Sequence, residues 1–147
     1  MIALLDANAL LALGWPNHEH HEVVIQYLGA YMSDGWATCS VTQNAFLRLS
    51  LNPRVVHTTL SSAQVVGYLR TLLLQEGHTF LEDDLSLVTV DWIPWDELRG
   101  YRQVTDLHLM ALAVRHRARF VTLDSGIKSW APEPVRSHLL VLGSPEN

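Results

Sequence analysis

Short apolar runs alternate with longer segments of helical periodicity along this chain. Ile2-Ala3-Leu4-Leu5 is an unbroken apolar run of strand length that ends at a charged residue, Asp6. Ala7 to Leu13 reads as a short helix stopped by Gly14, with Pro16 just beyond. Val23, Val24, Tyr27, Leu28 and Tyr31 recur at helical spacing, which predicts a helix from Asn17 or His18 to about Met32. Asp34-Gly35 marks a turn. Trp36 to Cys39 reads as a buried strand, with Ser40 as N-cap of a helix to about Leu49. After a break at Asn52-Pro53, Ser61-Ser62 opens a helix with Val65, Val66, Leu69, Leu72 and Leu73 inward, ended by Gly77.

His78 to Leu81 is the next candidate strand, followed by the acidic turn Glu82-Asp83-Asp84, read as solvated. Helices are predicted around Leu85 to Val90 and, after Pro94, around Trp95 to Leu98. Gly100 to Gln103 reads as a loop. Asp106 to His116 is a well-patterned helix with Thr105 as its N-cap, and His108 and His116 fall on its surface. Arg119 to Leu123 is a strand ending at Asp124, and Leu139 to Leu142 is the last strand. This alternation implies an α/β fold: a central, mostly parallel sheet of four to five strands with helices on both faces. A chain of 147 residues fits one domain, residues 1–147.

Composition narrows the classes. A hydrophobic fraction of 48% against 17% charged residues indicates a globular chain. The formal net charge of -5 argues against a broad basic surface for non-specific nucleic-acid binding, though not against a local basic rim. Cys39 stands alone, which excludes an internal disulfide and a zinc cluster, and it reads as a buried small hydrophobe. Neither a leader nor a membrane-length apolar run is visible, so a soluble cytoplasmic domain is the expectation.

The chemistry rests on Asp6, Asp106 and Asp124. The first and last close apolar strands, and Asp106 opens the helix that leads into the second of those strands. Residues at the carboxyl ends of parallel strands, and at adjoining helix starts, converge on one crevice. Carboxylates gathered there repel unless a cation balances them, and an all-oxygen set suits Mg²⁺ or Mn²⁺. Each aspartate also has an ordinary alternative, as a helix cap, a first-turn acid or a turn residue. Ligating carboxylates need hydrogen-bond partners, and Asn8, Thr105, Thr122 and Ser125 are placed to supply them. His18, His20 and His21 look like a metal tract, but adjacent histidines do not share a helix face, so a solvated helix start is the simpler reading. The five tryptophans read as core or interface anchors.

Four ordered segments carry a resemblance: Leu5-Asp6-Ala7-Asn8; Trp36-Ala37-Thr38-Cys39 with Thr42 and Arg48; Gln103-Val104-Thr105-Asp106 with Leu109 and Leu112-Ala113; and Val121-Thr122-Leu123-Asp124. Together they resemble the PIN-domain family, and within it the VapC toxins of type II toxin–antitoxin systems. The resemblance implies a metal-dependent endoribonuclease, an RNA substrate, a VapB-like antitoxin and a homodimer. It also implies an acidic pocket of about four carboxylates on Mg²⁺ or Mn²⁺. Asp6, Asp106 and Asp124 match three of them as metal ligands and catalytic residues. The fourth family position, a glutamate, is occupied here by Gln43, whose amide oxygen can ligate but carries no charge.

Arg48 is the family-matched candidate for a basic rim on the RNA side. Arg54, Arg102 and Lys128 lie near the motif segments, and Arg115, Arg117 and Arg119 are expected at the far end of the Asp106 helix. The helices around Val23–Tyr31 and Val41–Leu49 are candidates for an antitoxin groove. Gln43 keeps a second class open, a catalytically weakened PIN-fold module that binds RNA or a partner. A receiver-like phosphotransfer domain is disfavoured, because only Asp6 follows the first strand.

Overall fold

The computed structural model describes residues 1–143, with Met32 described for its backbone alone. Five short strands, β1 (Ala3–Leu5), β2 (Trp36–Thr38), β3 (His78–Phe80), β4 (Arg119–Thr122) and β5 (Leu139–Val141), form one all-parallel sheet in the order β3-β2-β1-β4-β5. The chain steps outward from β1 through β2 to β3, then returns to the other side of β1 for β4 and β5. That reversal leaves a crevice at the carboxyl ends of β1 and β4.

The period of two in β1, β2, β4 and β5 builds two cores, while edge strand β3 is largely exposed. Ala3, Leu5, Trp36 and Val121 face one side, where they meet α1 (Ala7–Gly14), α2 (His21–Ala30), Phe46 of α3 (Ser40–Ser50) and the apolar stripe Val65, Leu69 and Leu72 of α5 (Ser62–Leu73). Leu4, Ala37, Phe120 and Val141 face the other side, against Leu109, Met110, Leu112 and Ala113 of α6 (Gln103–Arg115). Burial on both faces explains why these strands read as continuous apolar runs. A one-turn helix, α4 (Pro53–Val56), joins α3 to α5, capped by the Asn52 side chain.

Several element ends differ from expectation. The second helix starts at His21, after a turn in which His18 Nδ1 accepts from the His20 backbone N–H. Ser40 is the first residue of α3 rather than its cap; extended Cys39 takes the cap position, and its N–H donates to Thr42 Oγ1 at 3.0 Å. The Asp106 helix begins at Gln103, so Thr105 lies inside the first turn. Gln103 Oε1 accepts the Arg99 N–H at 3.0 Å, which organises the turn before the helix. The segments near Leu85–Val90 and Trp95–Leu98 form only 3-10 turns, Leu87–Thr89 and Trp95–Glu97. Neither buries a residue within its turn, and so short a helix does not hold without tertiary packing.

The acidic turn is not simply solvated. His108 Nε2 meets Asp83 Oδ1 at 2.9 Å, and His116 Nε2 meets the Glu82 carbonyl at 3.0 Å and Asp84 Oδ1 at 3.1 Å. Arg115 Nε closes on Asp84 Oδ2 at 2.9 Å. Hydrogen bonding to Arg115, helped by His116, holds the Asp84 carboxyl below the usual range. His108 and His116 thus fasten the 82–84 turn along α6.

Phe46 is fully buried, and a Cβ built on Gly14 would stand 2.6 Å from its ring, so α1 runs directly against the phenyl edge. Phe46→Ala should cost about 3–5 kcal/mol, a loss readable as a lowered midpoint in urea denaturation.

Candidate active site at the carboxyl edge of the sheet

Asp6 leaves β1 with extended backbone and caps α1, its Oδ1 accepting the Ala7 N–H at 2.7 Å. Its Oδ2 accepts the hydroxyl of Thr122, the last residue of β4, at 2.7 Å. The Asp6 N–H donates to the Val121 carbonyl at 2.8 Å, which locks the two strand ends together. Asp6 is only 7% exposed. Burial raises its carboxyl above the usual carboxylate range, against the lowering pull of the Thr122 and Ala7 hydrogen bonds, and the charge of Asp124 raises it further.

Thr122 is the hub beneath this carboxylate. Its Oγ1 accepts the Asn8 side-chain N–H at 3.2 Å and the Asp124 backbone N–H at 3.1 Å while donating to Asp6. Asn8 in turn accepts the Leu123 N–H at 3.1 Å. Asp124 is exposed and caps the 3-10 turn Ser125–Ser129 through the Gly126 N–H at 2.9 Å.

Asp106 completes the group from the first turn of α6. Burial, and then the charges of Asp6 and Asp124, push its carboxyl up to about 6. Asp106 therefore senses Asp6 and Asp124, and Asp6 senses Asp124. No arginine or lysine figures among the charges that shift Asp6 or Asp106. Among the described residues, no three His, Cys, Asp or Glu side chains are grouped tightly enough to hold a metal ion by themselves. The donor set is all oxygen and carries unbalanced negative charge, which suits a hard cation, with water or a further oxygen donor completing the shell.

The remaining candidates divide. Thr122 donates to Asp6, and Asn8 donates to Thr122. Gln43, in the first half of α3, donates from Nε2 to Thr38 Oγ1 at 2.9 Å. Thr105 is exposed within α6, and Ser125 is exposed in the turn that Asp124 caps. Arg48 is exposed in the last turn of α3, at the other end of the helix from Ser40. Arg54 is exposed in α4, Lys128 lies in the 3-10 turn after Asp124, and Arg102 stacks over the exposed Tyr101 ring at 5.8 Å. Arg115, Arg117 and Arg119 sit at the end of α6 and the start of β4, away from the acidic crevice.

No family model matches the chain. Curated proteins do. Ribonuclease VapC38 of Mycobacterium tuberculosis is 44% identical over 132 residues, covering 90% of this chain and 92% of that protein. Ribonuclease VapC44 of the same organism is 37% identical over 143 residues, covering 97% and 100%. The chain belongs to the VapC ribonuclease family. Among solved structures, VapBC2 from Rickettsia felis, crystallised with a DNA fragment from its promoter, superposes with a TM-score of 0.67 over 97% of this chain and 99% of that one. At 14% identity it speaks for the shared fold alone.

Two groupings escaped the sequence reading of this VapC chain. Thr38 and His78, which hold Gln43 and each other, lie 40 residues apart on neighbouring strands. The clamp of Asp83 and Asp84 on α6 had one legible signal, since His108 and His116 are spaced to share a helix face.

The raised Asp106 carboxyl has a signed consequence. Between its ordinary value of 3.8 and about 6, the folded protein keeps a proton that the unfolded chain has released. Folding stability contributed by this group therefore falls as pH rises through that window. Asp6 acts in the same direction. With chelator present, the melting temperature of Asp106→Asn relative to wild type should rise from pH 4 to pH 6, and a flat difference would remove the assigned repulsion.

Proposed function

We propose that this chain is the ribonuclease toxin of a VapBC-type pair, hydrolysing RNA phosphodiester bonds at a Mg²⁺ or Mn²⁺ site held by Asp6, Asp106 and Asp124. The observation that carries the reading is the pair of raised carboxyls: burial and then the charges of Asp6 and Asp124 raise half-buried Asp106, and burial and then the charge of Asp124 raise buried Asp6. Such an arrangement costs folding free energy and is typical of functional sites. Membership of the VapC ribonuclease family supplies the reaction class.

A bound divalent ion would supply Lewis acidity toward the phosphate and acidify water at neutral pH. The chain's own residues do the rest. Thr122 and the Ala7 N–H orient the two Asp6 oxygens so that each keeps a lone pair for the crevice. Asn8 and the Asp124 N–H hold Thr122 in that donating pose. Asp106 gives up its proton most readily when positive charge enters, so cation binding should release a proton near pH 6. Gln43 adds a neutral oxygen donor in the position where the family has a glutamate. Arg48, Arg102 and Lys128 are candidates to meet flanking phosphates.

A VapB-like antitoxin is the proposed partner. Its support is apolar relief around α2, where Ile25 and Tyr31 are exposed, and a hollow of about 230 Å³ lined by Leu13, Ile25, Leu28, Gly29, Trp36, Gln75 and Glu76. Such relief suits an amphipathic segment. It lies around α2 and the end of α5, rather than between α2 and α3. Among the described residues no helix is long and apolar enough to cross a membrane. We place the toxin in the cytoplasm because that is where its RNA substrate lies.

Purified protein should cleave RNA in Mn²⁺ or Mg²⁺ and lose activity in chelator. Asp6→Ala should lower the rate by more than about a hundredfold, since removing even a supporting group of a metal site costs roughly 10–100-fold. Equal cleavage by wild type and Asp6→Ala, or none by either, defeats the assignment.

A further inference from the structure

Gln43 sits at the head of a partly buried polar chain that runs from the end of β2 back to the start of β3. Its Nε2 donates to Thr38 Oγ1 at 2.9 Å, and Thr38 Oγ1 meets His78 Nε2 at 2.9 Å. Thr38 is fully buried at the end of β2, and the His78 ring is packed on Trp36 with centroids 4.7 Å apart.

The direction of each hydrogen bond in this chain follows from the Gln43 amide. Its NH₂ only donates, so Thr38 Oγ1 accepts at that contact. Thr38 has one hydroxyl proton, which then goes to His78, and Nε2 has to accept it. An accepting Nε2 belongs to a neutral ring with its proton on Nδ1. Burial holds the ring on the neutral side. Held by this acceptor, the amide is fixed end for end, with nitrogen toward Thr38 and Oε1 turned away from it.

We propose that Thr38 and His78 are positioning residues, and that their hydrogen-bond relay turns the Gln43 carbonyl oxygen, rather than its NH₂, toward the cation held by Asp6, Asp106 and Asp124. This rests on the metal reading above. It explains how a neutral glutamine works where an acid is usual. A glutamate has two equivalent oxygens and needs no such direction, whereas a glutamine presented backwards would point two N–H donors at a cation. The register supports the placement: Leu4 pairs with Ala37 and Leu5 with Val121, so the ends of β2, β1 and β4 lie side by side. α3 starts two residues beyond Thr38, at the same edge as Asp6.

The test combines Thr38→Val, Thr38→Ser and Gln43→Glu with Mn²⁺ titration by calorimetry, after melting curves confirm folding. Thr38→Val should weaken Mn²⁺ binding by roughly tenfold, the scale of losing an outer hydrogen-bond partner. Thr38→Ser, which keeps the hydroxyl, should restore it. In the Gln43→Glu background Thr38→Val should have almost no effect, because a carboxylate has no wrong end. A loss of equal size in both backgrounds, or no loss in either, overturns the relay. Asp6→Asn separates the premise: if wild type binds Mn²⁺ and Asp6→Asn binds it equally, the metal reading fails. A metal-free readout then still judges the relay. Imidazole ¹⁵N spectra should show His78 neutral with its proton on Nδ1, and a proton on Nε2 would reverse the relay and refute it.

Discussion

The hydroxyl of Thr122 donating into the Asp6 carboxylate, across the junction of β1 and β4, is the interaction on which the rest of the molecule depends. A carboxylate almost wholly removed from water needs a donor on each oxygen. Asp6 takes one from the first turn of its own helix and one from the neighbouring strand. The two bonds tie together β1, α1 and β4 at the point where strand order reverses. The same hydroxyl accepts from Asn8 and from the Asp124 backbone, so the second strand-end acid is anchored by the group that holds the first. Capping and site-building, which look like alternatives for Asp6, are one arrangement.

Against that satisfied pair stands an unsatisfied charge balance. Asp106 is driven up by burial and by its two acidic neighbours, and the described structure sets no cation against them. A fold optimised for stability alone would not keep three acids at one edge, and such local conflict marks the place where function is exacted. The helix that carries Asp106 is braced along its length, where His108, Arg115 and His116 grip the 82–84 turn. Gln43 brings no fourth charge to this edge, and its amide nitrogen is held on Thr38, which in turn meets His78.

Much of this was legible in the chain itself. The apolar runs ending at Asp6 and Asp124, the helix carrying Asp106, and the strand–helix alternation together specify a parallel sheet with its acids at one edge, because strand period, helix period and the handedness of crossovers leave few other packings. Asn8 and Thr122 were visible for the same local reason, lying beside the acids they support. What the chain could not disclose was held by contacts distant in sequence. Thr38 lies in a recognised segment and His78 does not, but nothing in either stretch pairs them, and their partnership exists only because β2 and β3 are neighbours in register. The Asp83–His108 and Asp84–His116 pairs likewise depend on where a loop lands.

The same division explains the misplaced ends. Thr105 and Ser40 carry good capping side chains, yet Gln103 and Cys39 begin or cap their helices because the preceding loop or strand sets the entry of the chain. Sequence alone determined which residues bear charge, where each strand stops, and that the acids meet, since local periodicity and chain connectivity suffice for that. Tertiary structure alone decided how those charges are held: which oxygen accepts from Thr122, how far Asp106 is driven from its ordinary value, and which end of Gln43 is free. Hydrogen-bond direction and desolvation are properties of a packed neighbourhood, and no single stretch of sequence contains one.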